Sequence, residues 1–306
     1  MIGHLRIKSP WSQLFLFIGL FGAAYLLTGF ISLAIYQANG ISIFPGNEQN
    51  LADPHVVYVL KMVQAISSIL LFILPAFFFA RFTFTGNYSY FLGFRKADKA
   101  NMYILAVIGI LIALPFVFWT GDLNQQIPMP ESFAKLEEEA SKQMTAFLKV
   151  KSAGDVIVNI IIIALLPAIA EELCFRGVLQ RIIIHICRNP WTGIIVTSLL
   201  FSALHLQFQG FIPRVFLGIM LGAFYWYSGS IWTCMAAHFA NNAVQVLMVT
   251  YWPKYIDNNP NMPLLYAIVS GLVAWAILWF YQRQSGVTYS KVYKPDDISP
   301  YNEFLT

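Results

Sequence analysis

Charge is what this sequence has least of. Of its 306 residues only 11% are Asp, Glu, Lys or Arg, against 58% hydrophobic, where a soluble domain carries about 25% charged residues. Too little polar surface remains to cover a water-soluble globule, so the solvent of most of the chain is lipid. Its mean hydropathy of +0.63 agrees. Cysteine is scarce as well: Cys174, Cys187 and Cys234 form no CxxC pair, so neither a disulfide framework nor a thiolate metal site is indicated. All three read as small buried hydrophobes. The net charge is only +4, and the 19 Lys and Arg are scattered without a basic stripe, which argues against a nucleic-acid partner.

What fills the space is apolar run after apolar run. Stretches of spanning length occur at Ser12–Tyr36, Val56–Ala80, Met102–Thr120, Val156–Ile186, Trp191–Leu206, Phe211–Tyr227, Ile231–Tyr251 and Pro263–Tyr281. A helix satisfies its own backbone hydrogen bonds where there is no water. The expected fold is therefore all-α: a polytopic bundle of about eight transmembrane helices at about 20 residues each. Ser12–Tyr36 is too long for the core of a cleaved signal peptide and reads as a retained span. Residues 1–155 then hold the N-terminal helices, 156–251 the core that carries chemistry, and 252–306 a last helix and a polar tail.

Between the third and fourth runs lies a different pattern. Phe133, Leu136, Ala140, Met144, Phe147 and Leu148 recur at helical spacing, opposite a face of interleaved Glu and Lys that includes Glu131, Glu137, Glu138 and Glu139. This predicts one amphipathic interfacial helix. An ordinary connector is the plainer reading of such a segment, and a gate over a site the sharper one. Basic residues set the orientation. Arg6, Lys8, Arg81, Arg95, Lys96, Lys99, Arg181, Arg188, Arg283, Lys291 and Lys294 fall on one side, which places both termini in the cytoplasm and suggests a bacterial inner membrane.

Three charges stand where none should. Glu171, Glu172 and Arg176 lie well inside the fourth run, and each costs about 2.5–3.5 kcal/mol at mid-membrane. Glu172 and Arg176 are four residues apart with the acid N-terminal, the better orientation for a helical ion pair. Glu171 is turned away by about 100° and is left available. Pro167, one turn earlier, interrupts the ladder and makes room for water.

Two further polar sets follow: Phe201 and His205 at the end of the fifth run, and His238 with Asn242 on one face of the seventh. Taken singly, a membrane histidine is more often a helix–helix hydrogen bond than a catalyst. Together, a spare carboxylate, two imidazoles and a carboxamide on separate helices suit hydrolysis. That chemistry needs a base to deprotonate water and donors for the oxyanion. Glu171 would activate the water with His205, and His238 and Asn242 would supply the donors. Ser202 and Cys174 do not read as covalent nucleophiles.

The three sets, in this order, resemble the EExxxR, FxxxH and HxxxN motifs of the CPBP intramembrane proteases, the family of the CAAX prenyl endopeptidases and bacteriocin-processing enzymes. The resemblance covers Val156 to Met248. It implies endoproteolysis of a membrane-associated protein or peptide, with Glu171, His205, His238 and Asn242 catalytic and Glu172 held by Arg176. Membrane lipid and a peptide substrate are the partners it implies. Family members have been described both as metal-free glutamate proteases and as metalloproteases. Glu171, His205 and His238 make a conceivable zinc set, but the metal-free mechanism is favoured, because three ligands on three spans are harder to prearrange. The alternatives are a non-catalytic scaffold or immunity protein of the same fold, and a proton-coupled transporter, for which no inverted repeat is seen.

Overall fold

The computed structural model describes residues 9–42, 50–83, 87–129, 131–256 and 260–287. Arg6, Lys8, Lys291 and Lys294, which carry part of the orientation, lie outside these residues. The described residues are helical throughout, without a strand. We label the main helices α1 (Pro10–Ala38), α2 (Pro54–Thr83), α3 (Asn101–Gln125), α4 (Glu131–Leu148), α5 (Ala153–Cys187), α6 (Pro190–Ala203), α7 (Phe211–Ser228), α8 (Ile231–Tyr251) and α9 (Leu264–Gln284).

Each apolar run forms a helix. Six helices, α1, α2, α3, α5, α7 and α9, are long and apolar enough to cross a membrane, which makes this a multi-pass membrane protein. The apolar helix α6 is shorter, with 14 residues. Helix α8 has 21 residues but carries His238, Asn241, Asn242 and Gln245 and is not among the six. The fifth run also ends earlier than its hydropathy suggests. α6 stops at Ala203, and Leu206 then takes a left-handed φ of 54°, so His205 sits on a turn and not within a helix.

Polar and small residues repair the helix ladders from neighbouring helices. Pro115 lies inside α3, where a proline disturbs the hydrogen bonds around it. Ser270 of α9 fills the gap: its hydroxyl donates to Ile112 O (2.7 Å) and accepts from Phe116 N (3.2 Å). Pro167 is accommodated differently. The residues before it, Ile160–Leu165, wind as π-helix, which loosens the turn that the ring would otherwise strike. Another π segment of α5, Leu173–Gln180, follows Glu172 directly. π turns inside α-helices are frequent at functional sites.

Gly218 and Gly222 make the GxxxG of α7. A Cβ on Gly218 would lie 2.9 Å from Ser198 Cβ, and one on Gly222 would lie 2.6 Å from Gln180 Oε1. The bare backbone there accepts hydrogen bonds from α5: Arg176 Nη2 donates to Gly218 O (3.1 Å) and Gln180 Nε2 to Gly222 O (3.1 Å). Of the cysteines, Cys174 and Cys234 are buried, but Cys187 is exposed, because it is the last residue of α5.

The amphipathic helix α4 is present, with 18 residues. Its apolar face is only partly covered: Phe147 and Leu148 are buried, while Leu136 and Met144 remain exposed.

Candidate active site

The buried charges of α5 find partners on two other helices. Glu172 and Arg176 are both fully buried and joined at 2.7 Å, across the change from α-turns to π-turns. The same carboxylate oxygen accepts from His238 Nδ1 of α8 at 2.8 Å. A ring nitrogen bonded to a carboxylate carries the proton, so Nδ1–H points at Glu172 and Nε2 is the face left free. That Nε2 lies 3.9 Å from Glu171 Oε2. Glu172 is thus more than a partner for Arg176. It orients His238, a contact across 66 residues of sequence that helical spacing did not predict.

Phe201 of α6 sits at the centre of this group. Its ring lies 4.9 Å from that of His205 and 6.1 Å from that of His238, both edge-on. The Arg176 guanidinium stacks over it at 4.7 Å, and Phe175 meets it edge-on at 5.1 Å. The motif phenylalanine therefore packs against the guanidinium and both imidazoles at once.

His205 is held by its own chain. Its Nδ1 donates to Phe201 O at 2.8 Å, which fixes the tautomer and leaves the Nε2 lone pair free to take a proton. Glu171, His238 and Arg214 lie within electrostatic reach of this ring. Asn242 shares a helix face with His238, and its Oδ1 accepts from Asn241 Nδ2 at 3.0 Å. With its oxygen engaged, Asn242 offers its amino group.

Glu171 and His238 thus approach one another, and Glu171 lies within electrostatic reach of His205. Among the described residues no three of His, Cys, Asp and Glu converge as a metal-holding group. Ser202 is committed elsewhere, donating to Phe211 O at 2.8 Å.

Residues 153–244 match the family model described as Type II CAAX prenyl endopeptidase Rce1-like. This segment is Rce1-like. Among curated proteins the chain is similar to the uncharacterized protein YpbD of Bacillus subtilis (strain 168), at 37% identity over 99 residues, 31% of this chain and 48% of YpbD. It is also similar to an uncharacterized 24.3 kDa protein of Escherichia coli, at 39% identity over 67 residues, 22% of this chain and 31% of that protein. The chain therefore spans half or less of the curated relatives it matches. No solved structure matches it.

The Rce1-like segment contains every residue that the sequence motifs singled out. Its surroundings add some that sequence reasoning passed over. Asn241 is buried beside Asn242. Arg214 of α7 lies within electrostatic reach of both Glu171 and Glu137, and its guanidinium donates to the carbonyl oxygen of Gln207. Asn124 of α3 and Glu137 of α4, both outside the Rce1-like segment, bind the loop that follows His205. The arginine in Phe211-Ile212-Pro213-Arg214, four residues inside an apolar run, was the available signal.

Proposed function

We propose that this protein is an intramembrane endopeptidase that hydrolyses a peptide bond of a membrane-associated protein or peptide. In this reading Glu171 removes a proton from water, and His205 Nε2 shares that water. The hydroxide attacks the scissile carbonyl, and the C–O bond forms as the carbonyl π pair moves onto oxygen. The oxyanion is held by the Asn242 amino group and by Nε2–H of His238. Donation from that nitrogen requires a second proton on the imidazole, and the Glu172 carboxylate at Nδ1 accommodates the resulting charge. Collapse breaks the C–N bond, and Glu171 returns its proton to the departing amine. One water is consumed, and one acid and one amine are formed.

A single observation carries the reading. The buried Glu172 is divided between Arg176 and His238, and the second nitrogen of His238 faces Glu171 at 3.9 Å. A purely structural ion pair in lipid has no need of an additional carboxylate next to it, since each charge there is costly. The match to an Rce1-like family model supports the same class of chemistry.

The test compares the N-termini of membrane proteins in cells that make wild type, Glu171→Gln or His205→Ala at equal levels. New N-termini should appear with wild type and be missing with both variants. Identical sets in all three would overturn the assignment. A scaffold would keep its function in both variants, and a transporter would reveal itself as ion-dependent flux in liposomes.

A further inference from the structure

The short link between α6 and α7 holds His205 at its start, and its backbone is tied to two elements outside the Rce1-like segment. Asn124 of α3 clamps it from one side: Nδ2 donates to Phe208 O (3.0 Å) and Oδ1 accepts from Ile212 N (2.8 Å). From α4, Glu137 Oε2 accepts from Phe208 N at 2.8 Å and from Gln209 N at 3.5 Å. The Phe133 ring, one turn earlier on α4, lies 6.4 Å from that of Phe208. At its other end α4 places Leu148 in a cluster with Val246 and Ala164. Val246 is one turn beyond Asn242 on α8. Phe147 beside it is buried and lies under the Lys61 ammonium (5.7 Å).

One end of this helix thus grips the chain three residues after His205, and the other packs one turn from Asn242. The polar face is not uniform either. Glu131, Glu138 and Glu139 are exposed, while Glu137 is turned inward and half-buried. A plain connector between α3 and α5 would leave all of them to solvent.

We infer that α4 is a strap across the candidate site, and that Glu137 is a positioning residue that sets the place of His205 through the backbone of residues 206–210. Backbone amides away from water need acceptors, and the link has no regular structure of its own to provide them. Glu137 supplies the acceptor for two successive N–H groups. Leu206, in the left-handed region at φ 54°, makes the reversal that brings those amides to face α4. With the carboxylate gone, the link is free to shift, and His205 moves with it relative to Glu171 and His238. The inference rests on the peptidase reading for its purpose and on contacts alone for its geometry.

The test uses the purified full-length protein in lipid nanodiscs, with two readouts that need no turnover. One is hydrogen–deuterium exchange of peptides covering residues 204–212. The other is the rate at which diethylpyrocarbonate modifies His205, mapped by mass spectrometry, with exposed His55 as internal reference. Glu137→Ala should raise exchange at Phe208 and Gln209 about tenfold or more, since a charge-assisted acceptor is lost. It should also speed modification of His205 and leave His55 unchanged. Glu137→Gln keeps an acceptor oxygen and should restore most of the protection.

Glu138→Ala removes an exposed carboxylate paired with Lys142 at 2.7 Å and should change nothing. Equal exchange and modification in Glu137→Ala and wild type would overturn the strap. So would failure of Glu137→Gln to protect, or a rise in exchange spread over all of α6 and α7. Because neither readout involves cleavage, a missing strap and a wrong peptidase assignment are told apart.

Discussion

Replacing Arg176 by Met should destabilise the protein by roughly 3–5 kcal/mol, the range for removing one partner of a buried pair. The structure says where this energy goes. The guanidinium donates to Glu172 Oε1 at 2.7 Å and to Gly218 O at 3.1 Å, and stacks on Phe201 at 4.7 Å. Methionine fills a similar volume, so the cavity contribution is small. What remains is a fully buried carboxylate whose compensation falls to His238 and the Cys234 thiol. Glu172→Gln should cost a similar amount for the mirror reason, an unpaired guanidinium.

The double variant is the informative one. It removes both charges and still leaves a Gln oxygen for His238 Nδ1–H, so its main deficit is the lost hydrogen bond from the guanidinium to Gly218 O, about 1.5–3 kcal/mol. The two single costs should therefore be strongly sub-additive, with a coupling of at least about 2 kcal/mol. Equilibrium unfolding in mixed micelles with rising SDS, followed by circular dichroism, measures all four proteins. A cost under about 1 kcal/mol for Arg176→Met, or a double variant equal to the sum of the singles, would refute the idea that this pair is a buried, mutually dependent unit.

Ser270→Ala should cost about 1–3 kcal/mol in the same unfolding assay, because it leaves Ile112 O and Phe116 N without the hydroxyl that bridges them beside Pro115; a neutral result would mean that the α3 ladder closes on itself there. Leu206→Gly should be neutral or slightly stabilising. The left-handed conformation costs a non-glycine residue about 1–2 kcal/mol, glycine gives back about 0.5–1 in chain entropy, and the side chain is already 58% exposed. Leu206→Ala should show no such gain, and a loss above about 1 kcal/mol for the glycine variant would contradict the relief of strain.

The helices were legible because lipid leaves so few choices: each apolar run became a helix, with ends displaced by only a few residues. The Glu172–Arg176 pair was equally legible, since i, i+4 spacing is a local property and the cost of charge in lipid makes three such residues conspicuous. The end of the fifth run was not. Hydropathy windows extend through Leu204 and His205, whereas the chain turns at Leu206 for a backbone reason that composition does not carry. Nor does hydropathy mark the π turns. Those of Ile160–Leu165 answer to Pro167, and those of Leu173–Gln180 accompany the packing of Arg176 and Gln180 on the bare carbonyls of α7. Cys187 was misjudged for a related reason, because an apolar neighbourhood in sequence does not say on which turn a helix leaves the core.

The remaining gap concerns Glu137, and it has a definite physical origin. Periodicity assigns a residue to a face of a helix, and on α4 it assigned Glu137 to the same polar surface as Glu131, Glu138 and Glu139. Which carboxylate turns inward depends on demand from elsewhere in the chain. That demand sits in Leu206-Gln207-Phe208-Gln209-Gly210, a link between two apolar helices whose Phe208 and Gln209 amides turn to another element for acceptors. Asn124 receives Ile212 N, and Glu137 receives Phe208 N and Gln209 N. Counting the backbone donors of short links that leave apolar helices, before assigning charged faces to solvent, would have directed attention to α4. The same count explains why a helix outside the Rce1-like segment comes to hold the chain next to His205.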